Sequence, residues 1–253
     1  MSLSLTQPNR RTFLKQSAAL TGAFVLGVQG SAAAADGNTP EVTHWVVIHS
    51  DDTVVIRIAR SELGQGTFTG LAQLVAEELE CDWSKVKPEY ADVSMHMRRN
   101  RIFKDMSTGG SRGIRDSNEY VRKGGAAARE MLISAAAQLW NVPASECSAK
   151  NSVVTHASGK RASYGELAQL ASTLPVPENP TLKNPKDWKI AGTSPARFDI
   201  PAKVNGSQIY AADVRLPGML HASIIQSPVF GGFVKRVDDA KAKAMPGKRT
   251  SAA

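Results

Sequence analysis

Apolar and polar positions along this chain repeat with two different periods, and the switches between them mark out its elements. Residues 43–49 and 53–59 are β-rich runs separated by Ser50-Asp51-Asp52, a spacing that predicts a hairpin. In the second run Val54, Ile56 and Ile58 alternate with Val55, Arg57 and Ala59, so one face of a sheet is buried. Over residues 66–80 the period lengthens. Leu71, Leu74, Val75 and Leu79 fall at helical spacing, with Glu77, Glu78 and Glu80 expected on the opposite, solvated side. Residues 86–93 return as a strand. Residues 114–140 predict a long helix with Val121, Ala128, Leu132, Ala136 and Leu139 along one stripe, stopped by Asn141 and Pro143. Residues 152–157 and 163–171 add a strand and a helix, the helix opened by Ser163 with Glu166 three positions on, a capping box.

The pattern breaks over residues 174–195, where Pro175, Pro177, Pro180, Pro185 and Pro195 impose an extended linker that cannot be helical. Beyond it, residues 196–237 alternate β-rich runs with Asn205-Gly206 and Pro217-Gly218 turns, and residues 237–245 read as the start of a helix. The 58 residues after the linker are thin for an independent core. The expected fold class is therefore α+β, with a mixed sheet and packed helices over residues 42–173 and an incomplete second unit over residues 196–253.

The first 35 residues stand apart. Arg10-Arg11-Thr12-Phe13-Leu14-Lys15 precedes an uncharged run, residues 16–35, broken by Gly22 and Gly27 and ending in Ser31-Ala32-Ala33-Ala34-Ala35. This resembles a twin-arginine export signal, departing from it at Asn9, where Ser or Thr is commoner. The apolar core is too short for a membrane span of about 20 residues, and an uncleaved anchor is the alternative reading. Such signals send folded proteins through the twin-arginine translocase to the periplasm, and a cofactor installed beforehand is the usual reason. Removing the three leader cations lowers the net charge from +8 to +5. The remaining Lys and Arg are scattered, so the excess reads as a solvated surface, with no nucleic-acid partner expected. Cys81 and Cys147 form no CxxC, which excludes a cysteine-held iron-sulfur or zinc centre. A disulfide between them and two buried thiols both remain open. His44, His49, His96, His156 and His221 lie too far apart for a local metal motif.

Two glycine-bearing turns are the candidate chemistry: Glu62-Leu63-Gly64-Gln65-Gly66-Thr67 and Ser107-Thr108-Gly109-Gly110-Ser111-Arg112-Gly113. Each joins an extended segment to a helix, where glycine lets main-chain N–H groups approach an anion without an intervening Cβ. Such turns also occur in proteins that bind nothing, and neither is a GxxxxGK[ST] or GxGxxG motif. The basic run Arg98, Arg99, Arg101 and Lys104 precedes the second turn. It reads as a solvated face that could add electrostatic help for a pyrophosphate.

Taken together, ELGQGTFTGLAQLVAEEL at residues 62–79 and STGGSRGIRDSNEYVRKGGAAARE at residues 107–130 resemble the molybdopterin-binding subunit of the xanthine dehydrogenase and aldehyde oxidase family. The likeness is to its isoquinoline 1-oxidoreductase β-subunit and periplasmic aldehyde dehydrogenase branch. It implies a molybdopterin cytosine dinucleotide, with Gly64, Gln65 and Gly66 toward the pterin and Thr108, Gly109, Gly110 and Ser111 toward the phosphates. Arg112 and Gly113 are weaker candidates. The resemblance further implies a partner subunit carrying iron-sulfur clusters and a metal held by the pterin, so no protein metal ligand is expected. The stretch Arg197-Phe198-Asp199-Ile200-Pro201-Ala202-Lys203-Val204-Asn205-Gly206 is similar to the opening of the family's α/β hammerhead domain. After Pro246-Gly247 the pattern stops, which reads as truncation or a frameshifted end, with the remainder of the catalytic subunit elsewhere. The family's general-base glutamate finds no match here, so no catalytic residue is assigned. Two readings follow: part of a molybdenum hydroxylase catalytic subunit, inactive by itself, or a non-catalytic cofactor-binding or scaffold fragment.

Overall fold

A computed structural model of the chain describes residues 40–247. The expected export signal, over residues 1–35, lies outside the described residues. By its contacts the chain divides into two units, after Gly206.

In the first unit, strands β1 (Glu41–Thr43), β2 (Val46–Ile48), β3 (Val54–Ile58) and β4 (Val86–Tyr90) form a mixed sheet in that order. β1, β2 and β3 pair antiparallel, and β4 lies parallel to β3 in register Val54 with Val86 through Ile58 with Tyr90. A parallel neighbour needs a crossover. Helix α1 (Thr67–Leu79) supplies it, entered from Gly66 at φ 86° and left through Glu80 at φ 56°. The short helix α2 (Val93–Arg98) follows β4, capped by the Asp92 carboxylate on Ser94 N–H.

Helix α3 (Asn118–Trp140) packs along α1. Two glycines allow α3 to approach closely, Gly124 against Trp45 of the β1–β2 turn and Gly125 against α1. A Cβ at Gly124 would strike the Trp45 ring, and one at Gly125 would strike the Val75 carbonyl. Val46, Ile48, Val54, Ile56 and Ile58 from the sheet meet Leu71, Val75 and Leu79 of α1 and Met131, Leu132 and Ala135 of α3 in one core. Leu139, expected on the inner stripe, is exposed, while Met131 is inside. A second, antiparallel sheet of β5 (Cys147–Lys150), β6 (Val153–His156) and β7 (Arg161–Ser163) leads into helix α4 (Tyr164–Ala171). The capping box forms as expected: Ser163 Oγ accepts from Glu166 N–H and the Glu166 carboxylate from Ser163 N–H. Cys81 and Cys147 are free thiols, the first buried as expected and the second only half-buried.

One expectation reverses. Glu77 and Glu78 are 2% and 0% exposed, and their carboxylates are the anchor for residues 183–191 of the proline-rich stretch. Helical periodicity assigns charged residues to solvent, but a buried carboxylate is tolerated where cations and N–H groups meet it. Helix α5 (Ile200–Val204) follows the stretch.

The second unit, described over residues 207–247, holds helix α6 (Ala240–Ala244) and a 3₁₀ turn at Ala211–Asp213. The expected β-rich runs form no strand among these residues, and Leu220, Ile224, Ile225 and Phe233 are exposed. Strands need a partner to take up their main-chain groups, so apolar alternation alone does not create them.

Candidate functional site

Strands β3 and β4 end side by side, at Ile58 and Tyr90, and both glycine turns gather around this edge. In parallel sheets the crevice beyond the strand C-termini is where ligands commonly lie. The 61–66 turn leaves β3 and enters α1. Its Glu62 N–H donates to the Tyr90 hydroxyl at 3.3 Å, and the Phe68 ring meets the Tyr90 ring at 4.9 Å.

Arg60, 1% exposed, ties this turn to the second one. Its Nε donates to Ser117 Oγ at 2.9 Å, and its Nη1 to the Asp105 carboxylate at 2.9 Å and to the Ser107 carbonyl. Its Nη2 lies 3.4 Å from the Tyr120 hydroxyl. Next along the chain, Ser61 N–H donates to Thr108 Oγ1 at 2.8 Å. Gly113 lies against Thr67, and Gly70 against the Ile114 side chain, so the bases of the two turns touch. The Asp105 carboxylate is held well below the usual carboxylate range by the Ser107 N–H and side-chain hydrogen bonds and by Arg60.

Within the 61–66 turn the donors are already taken. Glu62, its side chain 3% exposed, accepts from the N–H groups of Gly64 at 2.7 Å, Gly66 at 2.9 Å and Phe68 at 3.0 Å. It therefore occupies the electropositive start of α1 where a bound anion would otherwise sit. Burial by itself raises the Glu62 pKa, but the N–H groups of Gly66, Phe68 and Gly64 and the charge of Arg197 outweigh it, leaving the pKa below 4.5. Arg197 Nη2 lies 3.2 Å from the carboxylate, and its Nη1 donates to the Gly64 carbonyl at 3.0 Å. Gln65 is exposed, with its amide folded onto the turn: Nε2 donates to the Ser61 carbonyl at 2.8 Å and Oε1 accepts from Leu63 N–H at 2.5 Å.

The 107–113 turn is different. Gly109, Gly110 and Ser111 are exposed and Thr108 half-buried. Among the described residues, no hydrogen bond takes the N–H groups of Thr108, Gly109, Gly110 or Ser111. Gly110 and Ser111 have φ of 59° and 56°, and a Cβ added at Gly109 would meet nothing within 4 Å. Successive free N–H groups in a turn of this kind suit an anion. Arg112 and Gly113 close the turn, the former exposed beside Asp116 and the latter against Thr67. Of the basic run, Arg99 is engaged with Glu41 of β1 at 2.7 Å, while Arg98, Arg101 and Lys104 are exposed. A shallow depression of about 530 Å³ lined by Ser134, Gln138 and Asn141 lies at the far end of α3, roughly 30 Å from the turns at 1.5 Å per helical residue.

All seven sequence-derived residues thus fall in two turns joined at their bases. Of the residues that join and shape them, Arg60 and Tyr90 stood in no quoted motif, while Glu62 and Arg197 lay at the edges of quoted segments without a role of their own. A hint was present for Arg60, a charged residue directly after a buried strand.

The profile of the molybdopterin cofactor-binding domain family matches residues 8–214. The β-subunit of isoquinoline 1-oxidoreductase from Brevundimonas diminuta is 33% identical over 286 residues, covering 94% of this chain and 36% of its own length. A membrane-bound aldehyde dehydrogenase [pyrroloquinoline-quinone] of Gluconacetobacter polyoxogenes is 33% identical over 214 residues, 82% of this chain and 27% of that one. A nicotinate dehydrogenase subunit from Pseudomonas putida is 31% identical over 207 residues, 79% of this chain and 17% of that one. The chain thus spans about a third or less of these curated relatives. Among solved structures, quinoline 2-oxidoreductase from Pseudomonas putida 86 overlaps 51% of this chain and 16% of its own at 20% identity, with a TM-score of 0.39. With the family profile covering more than half of the sequence, including both glycine turns, the chain belongs to the molybdopterin cofactor-binding domain family.

Proposed function

We propose that this chain supplies one side of the cofactor cradle in a molybdenum hydroxylase catalytic subunit that oxidises aldehydes or N-heterocycles. The observation that carries the reading is the joining of two glycine turns at one sheet edge, through Arg60 and the Ser61 to Thr108 hydrogen bond. The residues fit the group. The N–H groups of Thr108, Gly109, Gly110 and Ser111, without a partner among the described residues, suit the pyrophosphate of a molybdopterin cytosine dinucleotide, and the missing Cβ at Gly109 and Gly110 lets the main chain come close. Gly64, Gln65 and Gly66 take the pterin side, where the Gln65 amide keeps one N–H and one lone pair beyond its bonds to Ser61 and Leu63. When bound, the cofactor supplies a redox-active metal that needs no ligand from this polypeptide. The chain's own residues bind and orient it: Glu62 keeps the first turn closed, Arg60 sets the spacing between turns, and Phe68 packs against Tyr90 beside the edge.

In the same reading, an iron-sulfur subunit takes the electrons, the remainder of the catalytic subunit completes the pocket, and the twin-arginine translocase delivers the loaded protein to the periplasm. The isolated 253-residue polypeptide is expected to show no turnover, because the general base is assigned by resemblance to a region with no match in it.

The test is cofactor content. The chain is produced in a host that makes the cytosine dinucleotide form, and metal and released nucleotide are measured on the purified protein. Molybdenum and cytidine monophosphate in equal amounts, both lost in Gly110→Val, are the expected result. Bound quinone without molybdenum, or neither group, overturns the assignment.

A further inference from the structure

Helix α1 reads the main chain of the proline-rich strap through polar side chains. Thr69, Gln73 and Glu77 recur every four residues and therefore line one side of the helix. Glu77 accepts from the N–H groups of Lys189, Ile190 and Ala191 at 2.8, 2.5 and 3.0 Å. Gln73 Nε2 donates to the carbonyls of Ile190 and Thr193 at 3.0 and 3.3 Å, and Thr69 Oγ1 accepts from Phe198 N–H at 3.1 Å. The strap thus runs antiparallel to α1, from the end of the helix back to its beginning. Its far end is tied down separately. Lys183 Nζ bridges Glu77 and Glu80, the latter at 2.7 Å, and Arg122 pairs with Glu78 at 2.7 Å while lying 5.0 Å over the Trp188 ring.

This course delivers Arg197 to the 61–66 turn, more than 130 residues away in sequence. Two nearly buried carboxylates converge on it: Glu62, and Asp199, whose oxygens lie 3.0 Å from Nε and 2.7 Å from Nη2. The third acceptor is the Gly64 carbonyl. The planar guanidinium makes four contacts to these three acceptors at once, whereas an ammonium has three N–H groups and no fixed fork.

We infer that Arg197 is a positioning residue for the 61–66 turn: the strap, laid along α1, brings its guanidinium onto the Gly64 carbonyl and the Glu62 carboxylate and so sets where Gln65 is presented. Its role toward the cofactor rests on the function proposed above; its role in holding the turn does not.

The experiment is hydrogen exchange on the full 253-residue chain. In Arg197→Ala, the amides of Gly64, Gly66 and Phe68 exchange roughly tenfold faster or more, as loss of a charge-assisted hydrogen bond requires, while α3 amides are unchanged. Arg197→Lys restores only part of the protection. Combined with Glu62→Gln, the effects are non-additive, because both changes break one contact. Unchanged exchange at the three turn amides in Arg197→Ala, or additivity in the cycle, overturns the inference. Should Arg197→Ala also lower α3 protection, Arg197→Lys decides: faster exchange confined to the turn supports the latch, and wild-type exchange there overturns it. Molybdenum content is read in parallel. Absence of molybdenum in the wild type removes the cofactor reading and leaves the latch standing, whereas wild-type exchange in Arg197→Ala with normal molybdenum does the reverse.

Discussion

The two glycine turns share a sequence pattern and a place at the start of a helical segment, yet they are electrostatic opposites. The 61–66 turn carries its own anion, Glu62, on three main-chain N–H groups and neutralises it with Arg197. The 107–113 turn has no such internal partner for the N–H groups of residues 108–111. A glycine turn before a helix offers donors for an anion, but whether a ligand can use them depends on what already fills the place. The first turn is thereby a rigid wall with an exposed glutamine, and the second an open cradle.

The largest expected effect comes from breaking the link between them. Arg60→Ala removes a buried cation whose side-chain partners flank the 107–113 turn, and should cost about 3 kcal/mol in urea unfolding, as loss of its charge-assisted hydrogen bonds requires. Faster exchange in both turns would confirm that they share one support. Loosening of the 107–113 turn alone would show that the first turn stands by itself.

A smaller effect separates the turns by pH. Glu62 has its folded pKa depressed below 4.5, so the stability it contributes is fully present above pH 4.5 and is lost as pH falls through the folded value. Glu62→Gln should lower stability at neutral pH by about 2 kcal/mol and flatten this acid-side decline. A decline of unchanged slope in the variant would show that Glu62 is not the group responsible.

The smallest effects lie in the open turn. Gly110 has φ of 59°, so Gly110→Ala should cost about 1 kcal/mol, whereas Gly109→Ala, with open space and no positive φ, should stay within about 0.5 kcal/mol. Titration with inorganic phosphate should shift the amide signals of Gly109 and Gly110 in nitrogen-proton spectra and leave Gly64 and Gly66 in place. Shifts at Gly64 and Gly66 would break the contrast between the turns.

The sequence by itself determined the local elements and the candidate residues. The alternation at Val54, Ile56 and Ile58, the helical spacing of Leu71, Val75 and Leu79, the Ser163 capping box and both glycine turns depend on neighbours within a turn or two of chain, which periodicity reports directly. Only the tertiary structure decided which turn is open, why Glu77 and Glu78 are inside, and what the proline-rich stretch does. Those outcomes rest on partners at long separation: Arg60 with Ser107, Glu77 with Ile190, Gly64 with Arg197. A carboxylate at helical spacing reads as solvated until the fold brings N–H groups and cations against it, and a glycine turn reads as vacant until the fold shows what already sits on its donors.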